Sequence, residues 1–308
     1  MERRGTPSAF VISITPFDES GAVDWDATRA HLARLRAAGV GVYVGGGGSG
    51  EGHALLSDEV DELLAVARAE LHGAVPTRAM GVEPRTAREM IDFGRRVEAV
   101  GLDAMQVYSL DMGHLGIPRP EELERYFTEV LDAARIDCVL STHFSVGYLV
   151  PVDLLVSLCE RYPHVIGVNC SISGGDLPYL VRVLASLPPR VEVHVGGPMH
   201  ALSALAMGGT GFLSSEGNLV PQLVQSVVAA YAAGDDAAAA DAYTTVMRVF
   251  SLLSSRVAVK AMLRALGLPG GWPRLPRMFV GDELDPRGTV AALRQLDIPE
   301  LAATLGAR

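Results

Sequence analysis

The residues of this chain that could do chemistry lie in a few short stretches. GVYVGGGGSGE, Gly41 to Glu51, carries a glycine run followed by Ser49 and Gly50. Successive backbone N–H groups in such a loop form a nest that can hold a carboxylate or phosphate. The competing reading is a tight strand-to-helix turn. CVLSTHF supplies Ser141 and His143, and VEVHVGG supplies His194 ahead of Gly196. Imidazole titrates nearest neutral pH, which makes His143 the leading general acid/base candidate. A core histidine satisfied by hydrogen bonds is the alternative for both, and the favoured one for His194. HVIGVNCSISGGD sets an amide, Asn169, where a strand runs into a loop, and GFLSSEGN sets Ser215 beside Glu216. Asp111 and His114 follow another apolar run. Among the 26 basic residues there is one lysine, Lys260, so any imine chemistry has a single amine to use.

Those stretches need a frame. Eight short β-rich runs recur along the chain: 9–14, 41–46, 77–82, 104–110, 138–144, 165–170, 191–197 and 211–215. Amphipathic helical patterns lie between them, several opening on Asp, Ser or Pro and ending near Gly. Eight β/α units without a dinucleotide-binding glycine fingerprint predict an α/β fold, a closed (β/α)8 TIM barrel. After the eighth run the pattern turns wholly helical, with a break at Gly234-Asp235-Asp236. The expected domains are a barrel over 1–233 and a C-terminal helical bundle over 234–308.

Composition narrows the partners. With 308 residues, 49% of them hydrophobic, the chain has ample apolar material for one large domain with an appendage. The formal net charge of -10, with no basic run, argues against a nucleic-acid or anionic-membrane partner. Cys138, Cys159 and Cys170 lack CxxC spacing and read as small buried hydrophobes in a reducing compartment. The N-terminal stretch is cut by Pro7 and Pro16 before any long apolar segment, so a cytoplasmic protein is expected.

In this order, ITPFDESGAVDW, GVYVGGGGSGE, VIGVNCSISGGD, ALAMGGTGFLSSEGN and VAVKAMLRALGL make the chain resemble the family of dihydrodipicolinate synthases and N-acetylneuraminate lyases. The resemblance spans nearly the whole chain. It implies a Schiff-base aldolase scaffold, a barrel with a C-terminal helical bundle, in which the glycine loop takes the carboxylate of a 2-oxo acid. It also implies a homo-oligomer, a dimer or a tetramer built from dimers.

The same resemblance shows what this chain lacks. The family's lysine lies at the end of the sixth strand in a glycine-any-lysine motif, and Gly167-Val168-Asn169 puts an asparagine there. Asparagine cannot form an imine, and Lys260 matches a lysine of the helical appendage instead. The family's fifth-strand tyrosine aligns with Ser141, its tyrosine pair with Asp111-Met112, and Phe144 to Gly147 carry no arginine for a second carboxylate. Strand alternation from Asn169 turns Ser141, His143, His194 and Ser215 inward, with Glu216 at the rim; the resemblance implies that Gly196 borders the substrate.

These readings converge on a lyase-like enzyme without a Schiff base, using acid/base and hydrogen-bond catalysis for dehydration, isomerisation, cyclisation or C–C chemistry. The catalytic candidates are His143, Ser141, Asn169 and His194. Gly47, Gly48, Ser49, Gly50, Gly196, Ser215, Glu216 and Asp111 are the candidates for binding a small carboxylate. A non-catalytic carboxylate-binding or partner protein on the same scaffold is the alternative. A third reading, a metal-dependent aldolase using His143, His194 and Glu216 or Asp111, has no HxH or HExxH spacing behind it. No cofactor is expected.

Overall fold

The structure, a computed structural model, describes residues 4–253 and 255–306. The apolar runs form β1 (Ser8–Ile12), β2 (Gly41–Val44), β3 (Thr77–Ala79), β4 (Ala104–Val107), β5 (Asp137–His143), β6 (Val165–Ser171), β7 (Glu192–Gly196) and β8 (Gly211–Ser214). They close into a barrel in chain order, β1 to β8, with parallel pairing such as β1 to β2 and β5 to β6. Strands covered on both faces read as near-continuous apolar runs, and β2 and β8 are buried at every residue. The first predicted run, 9–14, outlasts its strand, because the Ile14 amide leaves the ladder to donate to Asn218 Oδ1 at 3.0 Å.

Helices α1 (Trp25–Ala37), α2 (Ser57–Leu71), α3 (Ala87–Val100), α4 (Pro120–Ala133), α5 (Val152–Arg161), α6 (Leu177–Ser186), α7 (Ala201–Ala206) and α8 (Pro221–Ala233) follow the strands in turn. Their ends are written locally. Asp24 caps α1 by accepting from the Ala27 amide at 2.9 Å, Pro120 and Pro221 open α4 and α8, and Gly101 closes α3 at φ 77°. The break at 234–236 is a cap of both kinds: Gly234 ends α8 at φ 76°, and Asp235 caps α9 (Asp236–Leu252). The chain ends in α10 (Ala258–Ala265), α11 (Arg287–Arg294) and α12 (Ala302–Gly306).

By density of contacts the chain divides into two compact units. One is Arg78–Leu213 with the segment ending at Pro7, and the other is Ser8–Thr77 with the chain from Ser214 onward. In the second, Ile14, Leu219, Val220, Val249, Met262, Leu263, Leu293 and Leu301 form an apolar core that seats the C-terminal helices. All three cysteines are free and buried, and burial pushes each thiol up to about 12, which leaves them chemically inert. Among the described residues no helix is long and apolar enough to cross a membrane.

Candidate active site

The glycine loop belongs to the unit that holds β1, β2 and the C-terminal helices. It is packed against its own backbone: a Cβ on Gly50 would meet Gly46 O at 2.8 Å, and one on Gly52 would meet Gly45 O at 2.1 Å. The Glu51 and Gly52 amides turn inward to Gly48 O (3.1 Å) and Gly46 O (2.9 Å). The amides of Gly47, Gly48 and Ser49 donate to nothing among the described residues, so they are the part of the run able to receive an anion.

Beside them stands a cluster with more donors than acceptors. Ser49 Oγ and Ser215 Oγ are 2.6 Å apart, and Arg256 Nη1 donates to Ser215 Oγ at 3.2 Å. The serines are 2% and 7% exposed. One hydroxyl hydrogen is spent between the two serines; the other has no acceptor among the described residues. A buried hydroxyl left so costs about 1 to 3 kcal/mol, which an arriving oxygen would recover. Glu216, next along, is 3% exposed; it accepts from Ser214 Oγ at 2.9 Å, and burial raises its carboxyl above the usual range against the pull of Arg256.

The sole lysine braces this loop from behind. Lys260 is fully buried on α10, and its Nζ donates to Thr15 O (2.7 Å), Trp272 O (3.0 Å) and the Glu51 carboxylate, 4.6 Å from the Phe17 ring centre. Glu51 closes the glycine loop at φ 49°, and its other oxygen accepts from the Arg274 amide at 3.1 Å. Burial draws the lysine down to about 8, with Glu51 opposing. All three ammonium protons are thus committed.

In the unit of Arg78–Leu213, strand register defines a polar interior. Ser141, Asn169 and His194 share one row across β5, β6 and β7, and Gln106, Val139, Gly167 and Glu192 share the row two residues earlier. Residues two apart along a strand face the same side. Asn169 Nδ2 donates to Gln106 Oε1 at 2.6 Å, and Arg78 pairs with Glu192 at 2.8 Å. These bonds join strands that are not neighbours, so this face is the barrel interior. The Gln106 bond orients the Asn169 amide. His194 is drawn down to about 3 by burial and then by Arg78, so it is neutral throughout the physiological range.

His143 and Gly196 sit one row nearer the strand ends. His143 Nδ1 accepts from the Ser145 amide at 3.1 Å and lies 2.5 Å from Ser145 Oγ, which is 3.3 Å from Glu83 Oε1. Accepting at Nδ1 places the ring proton on Nε2. Gly196 is glycine because a Cβ there would meet Ser171 Oγ at 2.2 Å. Asp111 is tied into its own turn, accepting from the Gly113 amide at 2.8 Å, and His114 is exposed. Among the described residues no three His, Cys, Asp or Glu side chains are arranged to hold a metal ion.

Four participants escaped the reading of the sequence. Gln106 was legible, since AMQVYSL carries one polar residue at the inward parity. Glu83, and above all Arg256, had no local signal, because each meets its partner across 62 or 41 residues of chain, whereas Ser145 lies only two residues from His143.

Comparison with known proteins follows the same lines. Residues 7–292 match the model of the Dihydrodipicolinate synthetase family. The 4-hydroxy-tetrahydrodipicolinate synthase of Methanopyrus kandleri is 27% identical over 268 residues, covering 85% of this chain and 87% of that protein. The 4-hydroxy-tetrahydrodipicolinate synthase 1 of Streptomyces coelicolor is 29% identical, covering 92% of each. Among solved structures, YagE of E. coli K12, a protein of this family in complex with pyruvate, superposes with a TM-score of 0.85 at 23% identity, over 95% of this chain and 99% of that one. By the extent of that family match, together with the closed eight-stranded barrel, the chain belongs to the dihydrodipicolinate synthetase family.

Proposed function

We propose that the protein is a lyase-type enzyme acting on a small 2-oxo acid or related carboxylate by acid/base and hydrogen-bond catalysis, with no lysine imine. The observation that carries this reading is the division of labour in one unit: the chain's single lysine has every proton committed, while the serine pair beside the glycine loop keeps a donor in surplus. The position of the family's lysine, matched through Gly167-Val168-Asn169, holds an amide. The pyruvate complex of YagE supports a 2-oxo acid as the ligand class.

In this proposal the Gly47, Gly48 and Ser49 amides, the Ser49 and Ser215 hydroxyls and Gly50 hold the substrate carboxylate. Asn169, its amide oriented by Gln106, stabilises the negative charge that develops on a carbonyl oxygen. His143, with Ser145 fixing its tautomer, takes and returns the proton at the carbon next to the carbonyl. Ser141 and neutral His194 line the same face as Asn169 and keep it polar. Such a device stabilises an enolate less than an iminium does, which suits proton abstraction, dehydration or isomerisation. The enzyme is proposed as a cytoplasmic homo-oligomer of two or four subunits.

Proton exchange tests the reading. With pyruvate in heavy water, the wild type is expected to exchange the methyl protons catalytically, and His143→Ala to lose about 100-fold or more of that rate. A wild type that binds pyruvate but leaves its protons in place would instead establish the non-catalytic carboxylate-binding alternative.

A further inference from the structure

Arg256 brings a guanidinium to the serine pair beside the glycine loop. It precedes α10, in a segment that no strand-end motif touches, and its guanidinium reaches Ser215 Oγ at 3.2 Å, one hydroxyl removed from Ser49 in the glycine loop. Its side chain belongs to an exposed residue, so four of its five N–H groups remain open to an incoming ligand. Among the described residues no carboxylate lies within ion-pairing distance of it. Glu216 feels its charge without reaching it, and that carboxyl is occupied by Ser214. Most other arginines of the same unit are spoken for: Arg274 pairs with Glu59, Arg34 with Glu300 and the carbonyls of Asn218 and Leu219, and Arg287 with Asp285.

We infer that Arg256 is a specificity-determining residue that selects 2-oxo acids carrying a second carboxylate, an inference that rests on the proposed binding of the first carboxylate at the glycine loop. A guanidinium already donating one N–H to Ser215 presents the rest of its planar fork to a carboxylate as a bidentate partner. The substrate class is therefore a dicarboxylic 2-oxo acid.

The test compares two probes of equal chain length, 2-oxoglutarate and 2-oxopentanoate, by titration calorimetry. The wild type is expected to prefer 2-oxoglutarate by about tenfold at low salt, with the preference shrinking as salt screens an exposed charge. Arg256→Met should bring the ratio near one, and Arg256→Lys should restore part of it. A preference that survives Arg256→Met, or a wild type that binds both acids equally, overturns the inference and leaves the glycine-loop reading standing. Failure of both acids to bind overturns both.

Discussion

Replacing Lys260 with methionine is expected to destabilise the protein by about 3 to 5 kcal/mol, read as the shift in a denaturant midpoint at constant slope. The size follows from what is left behind. Glu51 is 3% exposed, and without the ammonium its carboxylate would be buried against only the Arg274 amide. The carbonyls of Thr15 and Trp272 would lose their donor in the same step. The double variant Lys260→Met, Glu51→Gln should recover a large share of the loss, because it removes the stranded charge together with its partner. If Lys260→Met alone cost under about 1 kcal/mol, the bracing role assigned to this lysine would be wrong.

Acidification gives the second large effect. His31 and His194 are both fully buried, with His31 drawn down to about 4, chiefly by burial, and His194 to about 3. In the unfolded chain both take up protons near 6.5, in the folded chain far lower. The unfolded state therefore binds more protons in this window. Their stabilisation is present above 6.5 and is lost as pH falls toward the folded values. Between pH 6.5 and 5 the stability is expected to fall with a slope approaching about 3 kcal/mol per pH unit, half from each histidine. Glu216 and Glu300, raised by burial, act in the opposite sense just above 4.5, so variants are needed to isolate the terms. His31→Gln and His194→Gln should each remove about 1.4 kcal/mol per pH unit from the slope. An unchanged slope in either variant would mean that histidine is not held neutral by the fold.

The frame was legible because its signals are local. Each of the eight runs is apolar enough to be largely buried, and several helices announce their ends with a cap such as Asp24, Gly101 or the Gly234 and Asp235 pair. Ser49, Ser215 and Asn169 were marked by the glycine run, the strand ends and the resemblance, and alternation from Asn169 gave the shared face of Ser141 and His194. What the sequence hid was pairing at long range. Gln106 to Asn169 crosses the barrel, Arg78 to Glu192 spans 114 residues, and Arg256 arrives from the C-terminal helices. Such contacts are set by closure of the barrel and by the seating of α10 on its apolar core. No spacing along the chain encodes them.

The central claim is that this member of the family works without a lysine imine. Borohydride reduction in the presence of pyruvate, followed by intact-mass measurement, tests it most directly, since reduction fixes any imine as a permanent adduct. The wild type should show no added mass, whereas Asn169→Lys, which restores an amine at the end of β6, should gain the mass of one reduced pyruvyl group. A wild-type adduct mapping to Lys260 would contradict the account, because it would require that buried ammonium to leave Glu51 and serve as the nucleophile.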